Sequence, residues 1–233
     1  MKLLAYPQND KQMYLDRVRK HIMEDTMIFG DGWTGHKGCS IGCTLHSYDH
    51  SDYPTLLGTP EEIAYLQDAI YEGIGKTDKK EAWRFTEQII DTIQTGADLS
   101  MVWPRFALQL LSASDSPIYE SLQQNSVKDA ADVVASLYRE WVATGIKPTK
   151  DLWDAAGVAG DGDAAWAAAR AARAAGDARV AALAAWDAAW SARAAAAAAG
   201  DAAWAAAWFW MRDLLLRLIS ESPILASESK NGD

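Results

Sequence analysis

Cysteine is scarce in this chain of 233 residues, which contains only Cys39 and Cys43. A disulfide between residues so close in sequence would close a very small loop and would stabilise the fold little. We therefore expect two reduced thiols. The N-terminal segment also has no apolar core of the kind that a secretory signal requires, so we expect a cytoplasmic protein.

Long hydrophobic runs and an excess of basic residues are also missing. Charged residues such as Arg193 and Asp201 interrupt the alanine-rich C-terminal part, which leaves no apolar run near the ~20 residues that a membrane span needs. The 22 basic residues against 32 acidic ones give a formal charge of -10. General nucleic-acid binding requires a basic surface and is not expected here, although a local basic pocket is still allowed.

No segment has a convincing strand pattern, whereas helical periodicity recurs along the chain and predicts an all-α fold. The segment 11–24 has apolar residues at helical spacing, with charges on the other positions. Thr59 and Pro60 begin another helix, in which Thr59 is expected to cap the first amides and Glu62 to complete a capping box. The apolar stripe of that helix is predicted to comprise Ile63, Leu66, Ile70 and Ile74. Further helices are predicted over 80–95, 101–111, 116–124 and 127–144.

The C-terminal part is an Ala/Trp repeat. Alanine, the strongest helix former, occupies 28 of the 46 residues from Asp163 to Trp208, so a helical structure is expected. The repeat divides into units that begin with aspartate. Glycine precedes Asp177 and Asp201, and these junctions are compatible with either several short helices or one long helix.

These patterns together predict three regions. Residues 1–150 form a multi-helix domain that includes a Gly/Cys/His loop at 30–58. Residues 151–220 form the Ala/Trp-rich helical repeat, which is expected to pack against that domain. Residues 221–233 are polar with little periodicity and are expected to form a flexible tail.

Tryptophans in the repeat lie at helical spacing. Trp186 and Trp204 are 18 residues apart, as are Trp190 and Trp208, so that a continuous helix would place the four indoles on one face. Such a face is suited to packing or to self-association into a homo-oligomer. It is also suited to stacking on a nucleotide whose charge nearby arginines neutralise. The ligand-binding candidates are Arg170, Arg173, Trp186 and Trp190.

A Cys/His cluster is the one chemically unusual feature of the sequence. Cys39, Cys43, His46 and His50 follow His36 within fifteen residues, and sulfur with imidazole is a ligand set that zinc prefers. These four residues are therefore candidate metal ligands. Two alternatives stay open: a cysteine nucleophile with His46 or His50 as its base, and simple burial of small thiols in a core.

The segment GHKGCSIGCTLHSYDHSDYPTLLGTPEEIAYLQDAIYEGI, residues 35–74, resembles a group of uncharacterised bacterial and bacteriophage proteins. The shared features are a KGC-x-x-GCT-x-H core, a Gly-x-Pro helix start, a GADLS stretch at 96–100 and a C-terminal Ala/Trp/Ser repeat. The resemblance implies that the Cys/His segment and the repeat belong to one architecture. It carries over no activity, but the phage association suggests an anti-defence factor that sequesters a signalling nucleotide or blocks a host protein.

Three classes of function follow from these observations. The leading hypothesis is a non-catalytic helical binding protein that holds a small ligand, such as a nucleotide, or a host protein. It would use the Trp-lined helix or the loop at 30–50. The second is a metal- or thiol-dependent enzyme centred on Cys39, Cys43, His46 and His50. The third is a structural protein that associates with itself through its indoles.

Overall fold

The computed structural model describes residues 2–8, 10–117, 119, 123, 125–158 and 201–225. Most of the Ala/Trp repeat, including the proposed ligand-binding residues Arg170, Arg173, Trp186 and Trp190, lies outside these residues. The structure of the repeat and the role of those four side chains therefore stay predictions.

Helices make up the regular structure of the described residues, and this confirms the all-α fold class. Only isolated β-bridges, and no strand, accompany the helices in this part of the chain. None of the described helices is long and apolar enough to cross a membrane. The helices are α1 (Lys11–Met23), α2 (Ser40–Leu45), α3 (Asp52–Leu56), α4 (Glu61–Gly75), α5 (Lys79–Thr92), α6 (Val102–Ser112), α7 (Asn125–Thr144), α8 (Lys150–Val158) and α9 (Asp201–Ser220).

The predicted 30–58 loop contains two of these helices, α2 and α3, because its apolar residues are drawn into a core. The start of α4 also differs from the prediction. Thr59 was expected to cap this helix, but its hydroxyl is fully buried and makes no hydrogen bond in the described part of the chain. The apolar stripe of α4 is confirmed, since all four of its predicted members are buried.

The chain divides into two compact units. The first contains residues 1–75, 79–102 and 216–233, and the second contains residues 76–78 and 103–215. This division does not coincide with the predicted boundary at residue 150, which stays a prediction. The predicted domain organisation is not tested further, since 159–200 lies outside the described residues.

In the first unit, α4 packs on α5, α5 packs on α1, and the short helix α2 contacts both α1 and α4. The end of the chain also belongs to this unit. Asp98 donates its backbone N–H to Pro223, Leu225 donates to Gly96, and Ala97 forms an antiparallel bridge with Ile224. The residues just after α9, which were expected in a flexible tail, are therefore paired with the backbone as far as Leu225.

The second unit contains a cluster of buried aromatic side chains. Tyr138 contacts Trp103 edge to face, with ring centroids 6.2 Å apart, and it also contacts Trp141 and Trp153. All four side chains are buried. These aromatic side chains form part of the core of this unit.

Candidate functional site

Helix α2 is the centre of the KGC-x-x-GCT-x-H segment, and all six of its residues are buried. Gly42 lies directly against the backbone of Gly32, where an added Cβ would come within 1.9 Å of the Gly32 oxygen. The thiol of Cys43 donates to the Gly38 carbonyl at 3.2 Å. Much of this motif is therefore explained by close packing, for which only small residues fit.

A buried polar network fixes α2 to α4 and α5. Tyr53 donates its hydroxyl to Gln67 Oε1 at 2.8 Å, and Gln67 Nε2 donates to Ser40 Oγ at 2.6 Å. The hydroxyls of Ser40 and Thr86 lie 2.9 Å apart and share a further hydrogen bond. Buried polar groups that all have partners specify a single arrangement. This network holds the N-terminal end of α2, and hence the adjacent Cys39, in a fixed position.

The four predicted metal ligands contact different partners. His46 meets His21, His50 meets Asp68, and Cys43 bonds to the backbone of Gly38. Among the described residues, no group of three or more His, Cys, Asp or Glu side chains is arranged to hold a metal ion. The zinc hypothesis receives no support from this geometry and stays a prediction.

His21, Thr26, Trp33 and His46 form the first of two imidazole sites, which we call the His21 cluster. The Nε2 atoms of His21 and His46 lie 3.0 Å apart, and Nδ1 of His21 lies 2.7 Å from Thr26 Oγ1. The Trp33 indole stacks on His46 with centroids 4.8 Å apart and meets His21 edge to face at 5.7 Å. Two helices and the intervening loop are joined by this contact.

The hydrogen-bond network assigns the tautomers of the two imidazoles. Thr26 Oγ1 donates to the His21 carbonyl at 3.2 Å, so it accepts from the His21 Nδ1–H. Nε2 of neutral His21 is then an acceptor, and the His46 Nε2–H is its donor. Every ring nitrogen of His21 is thus satisfied inside the protein.

Burial lowers the pKa of both imidazoles in the His21 cluster. The positive charge of Arg17 lowers the pKa of His46 further, whereas Glu24 acts in the opposite direction on His21. His46 is also in the left-handed conformation, with φ of 60°, at the C-terminal cap of α2. Its bond to His21 and its stack on Trp33 compensate for this less favoured backbone.

Cys39, Tyr48, His50, Tyr65 and Asp68 form the second site, which we call the Asp68 cluster. His50 stacks on Tyr65 with centroids 4.3 Å apart and an interplanar angle of 5°, and Tyr48 meets its edge at 5.1 Å. Tyr48 donates its hydroxyl to Asp68 Oδ2 at 3.2 Å. His50 Nε2 lies 3.4 Å from the same oxygen, without the alignment of a hydrogen bond.

Two polar atoms of the Asp68 cluster lack partners. His50 Nε2 and Asp68 Oδ1 are both buried, and neither makes a hydrogen bond within the described part of the chain. His50 is only 8% exposed, so solvent does not reach the imidazole freely. This pair differs from the His21 cluster, in which the imidazoles of His21 and His46 and the Thr26 hydroxyl bond to one another.

Both thiols are buried, and the pKa of each is raised. Burial raises the pKa of Cys39, and the negative charge of Asp68 raises it further. Burial also raises the pKa of Cys43 to about 12. A catalytic cysteine needs a low pKa and an imidazole between the thiol and the carboxylate. Here the carboxylate of Asp68 itself acts on both Cys39 and His50.

Six residues of the two clusters were not among the sequence candidates, namely His21, Thr26, Trp33, Tyr48, Tyr65 and Asp68. The sequence contains a signal for Tyr65 and Asp68. These two residues are three positions apart in a helix and therefore share one edge of α4. The pairing of His21 with His46 joins segments 25 residues apart in sequence, and no local pattern indicates it.

Comparisons of the chain with protein-family models, with curated proteins and with solved structures found no match.

Proposed function

We propose that the protein is a non-catalytic binding protein that holds a small molecule at the Asp68 cluster. The observation that carries this proposal is the pair of unpartnered atoms, His50 Nε2 and Asp68 Oδ1. A buried polar group without a partner costs about 1–3 kcal/mol, so native proteins contain few of them. A ligand that bonds to both atoms recovers this free energy on binding.

The surrounding side chains support binding rather than chemistry. Tyr48 and Tyr65 supply flat apolar surfaces beside the polar pair, a common composition of small-molecule sites. The cysteine that accompanies them is buried, and its raised pKa keeps the thiol protonated. A metal- or thiol-dependent enzyme is therefore supported less well than a binding protein.

The nucleotide, host-protein and anti-defence hypotheses involve the Trp-lined helix or the loop at 30–50. A phosphate is repelled by the Asp68 carboxylate, so this cluster is unsuited to a nucleotide that approaches through its phosphates. The arginines suggested for a nucleotide are Arg170 and Arg173, which lie outside the described residues. These hypotheses stay predictions.

A fragment screen read by NMR tests the proposed function. Protein labelled with ¹⁵N-histidine is titrated with a library of small cations, neutral amides and anions, and the ring resonances of His50 are followed. Binders should shift these resonances in the native chain and lose affinity in Asp68→Asn. Asp16→Asn is the matched control, because Asp16 is an exposed carboxylate on α1 that contacts Gln12. A library without a single member that moves the His50 ring resonances contradicts the proposal.

A further inference from the structure

We infer that the ligand of the Asp68 cluster is a small organic cation, such as an alkyl ammonium or guanidinium compound, whose N–H groups bond to Asp68 Oδ1. This inference rests on the proposed function and names the class of molecule that the same site accepts.

The unpartnered carboxylate oxygen of Asp68 requires a ligand that donates a hydrogen bond. An ionised carboxylate only accepts hydrogen bonds, and one oxygen of Asp68 already receives the Tyr48 hydroxyl. The other oxygen, Oδ1, makes no hydrogen bond of normal geometry in the described part of the chain, although the Cys39 thiol lies near the same carboxylate. Hydrogen bonds between ionised partners are the strongest ones, so a charged N–H donor gains most at this oxygen.

The aromatic side chains favour a cation as well. Tyrosine rings present a negative face that attracts ammonium and guanidinium groups. Tyr48 and Tyr65 lie on two sides of the His50 imidazole, at centroid distances of 5.1 Å and 4.3 Å. The chain carries a formal charge of -10, which raises the local concentration of cations over that of anions.

Tyr48 provides a route of access to the buried pair. Its side chain is about half exposed, its ring meets His50 and its hydroxyl is bonded to Asp68. The ring also lies flat on Gly32, where an added Cβ would come within 2.0 Å of the Tyr48 ring. Since Tyr48 is already about half exposed, we expect that outward rotation of its side chain adds little exposed apolar area and gives access to Asp68 and His50. The N–H groups of the cation can then reach Asp68 Oδ1.

A comparison of three probes tests the inference. Agmatine supplies a guanidinium and an ammonium group, butyramide is a neutral amide, and AMP is an anion. Each probe is titrated into the full-length protein while the His50 ring resonances and the heat of binding are measured. Agmatine should bind and shift His50, whereas butyramide and AMP should bind at least tenfold more weakly or not at all. In Asp68→Asn the affinity for agmatine should fall about tenfold or more, because a charged hydrogen bond is lost. In Asp16→Asn it should be unchanged.

The outcomes separate this inference from the proposed function. Binding of butyramide or AMP at His50, with no binding of agmatine, would overturn the inference that the ligand is a cation. The proposed function as a binding protein would still stand. If neither the probes nor the fragment library shifts the His50 resonances, the inference and the proposed function both fail. The ranking of probes on the native chain requires no variant, so the test holds even if Asp68→Asn does not fold.

Discussion

The His21 cluster and the Asp68 cluster each place a histidine against an aromatic ring, yet they differ in hydrogen bonding. In the first, the imidazoles of His21 and His46 are closed into a chain with Thr26. In the second, His50 and Asp68 each keep a buried polar atom without a partner in the described residues. A buried network in which every polar group has a hydrogen-bond partner stabilises the fold. A network that leaves a buried polar atom without a partner gains free energy when a ligand bonds to that atom.

Both clusters depend on the position of α2, because Cys39 precedes this helix and His46 follows it. The two sites nevertheless use opposite ends of the helix and different partners. This arrangement explains why a single sequence motif contains residues with unlike roles. His46 contributes to a structural contact, whereas His50 belongs to the proposed binding site.

The largest effect is expected for Gly42→Ala, which should disturb both clusters at once. The new Cβ would meet the Gly32 oxygen at 1.9 Å, and neither backbone can withdraw without moving α2. We expect a loss of about 3 kcal/mol or more in the free energy of unfolding, measured by urea denaturation. Gly35→Ala is the control, since its Cβ meets nothing within 4 Å. The Gly35→Ala variant should lose only about 1–2 kcal/mol in the free energy of unfolding, because alanine is strained at the positive φ of this position. Equal losses in the two variants contradict the packing role of Gly42.

A smaller effect is expected for His21→Phe, which breaks the closed cluster alone. Phenylalanine preserves an aromatic ring but leaves Thr26 and His46 without their partner. The free energy of unfolding should fall by about 1–3 kcal/mol, and binding at the Asp68 cluster should persist. A variant as stable as the native protein would show that the imidazole pair does not stabilise the fold.

The substitution of aspartate by asparagine at Asp98 and at Asp68 compares a fully hydrogen-bonded carboxylate with one that keeps an unpartnered oxygen. Asp98 is buried and fully bonded, since it accepts from Lys2 Nζ at 3.1 Å and from the Ser100 backbone at 3.0 Å. Asp98→Asn should lose about 1–2 kcal/mol of stability in urea denaturation. Asp68→Asn should lose nothing or become slightly more stable, because its amide can donate to the unpartnered His50 Nε2. Equal destabilisation of both variants counts against an open site at Asp68.

The smallest effect is a dependence of stability on pH. Folding lowers the pKa of His21 and His46 below the ordinary value of 6.5, so in mild acid the unfolded chain binds more protons than the folded one. Their contribution to stability is complete above about pH 6.5 and declines as the pH falls through and below that value. Urea denaturation from neutral to mildly acidic pH should show this decline. The decline should be shallower in His21→Phe, and identical slopes in the two proteins would exclude these imidazoles as its cause.

Local patterns in the sequence predicted several of the longer helices, whereas α2 and α3 lie in a segment that was predicted to be a loop. Lys11–Met23 and the buried stripe of α4 match the predicted helix and apolar face, because periodic burial on one face is a local property. The exception at Thr59 arises from tertiary packing, which buries its hydroxyl away from a partner.

The site was predicted only in part, for a physical reason. Cys39 and His50 belong to the Asp68 cluster and His46 to the His21 cluster, so the sequence located the right segment. The partners that decide their roles, His21 and Asp68, come from α1 and α4. Proximity in sequence suggested a single ligand set of cysteines and histidines. Tertiary contacts instead separate the histidines and bury both thiols.

The central claim is that the Asp68 cluster is kept open for a ligand, and the stability of Asp68→Asn with and without agmatine tests it most directly. A ligand that binds the folded state alone raises the free energy of unfolding in proportion to the logarithm of its concentration above Kd. We predict that native protein gains stability in agmatine and that Asp68→Asn, equally stable or more so without it, gains none. A variant that is less stable than the native protein, together with a native protein unaffected by agmatine, would contradict the account.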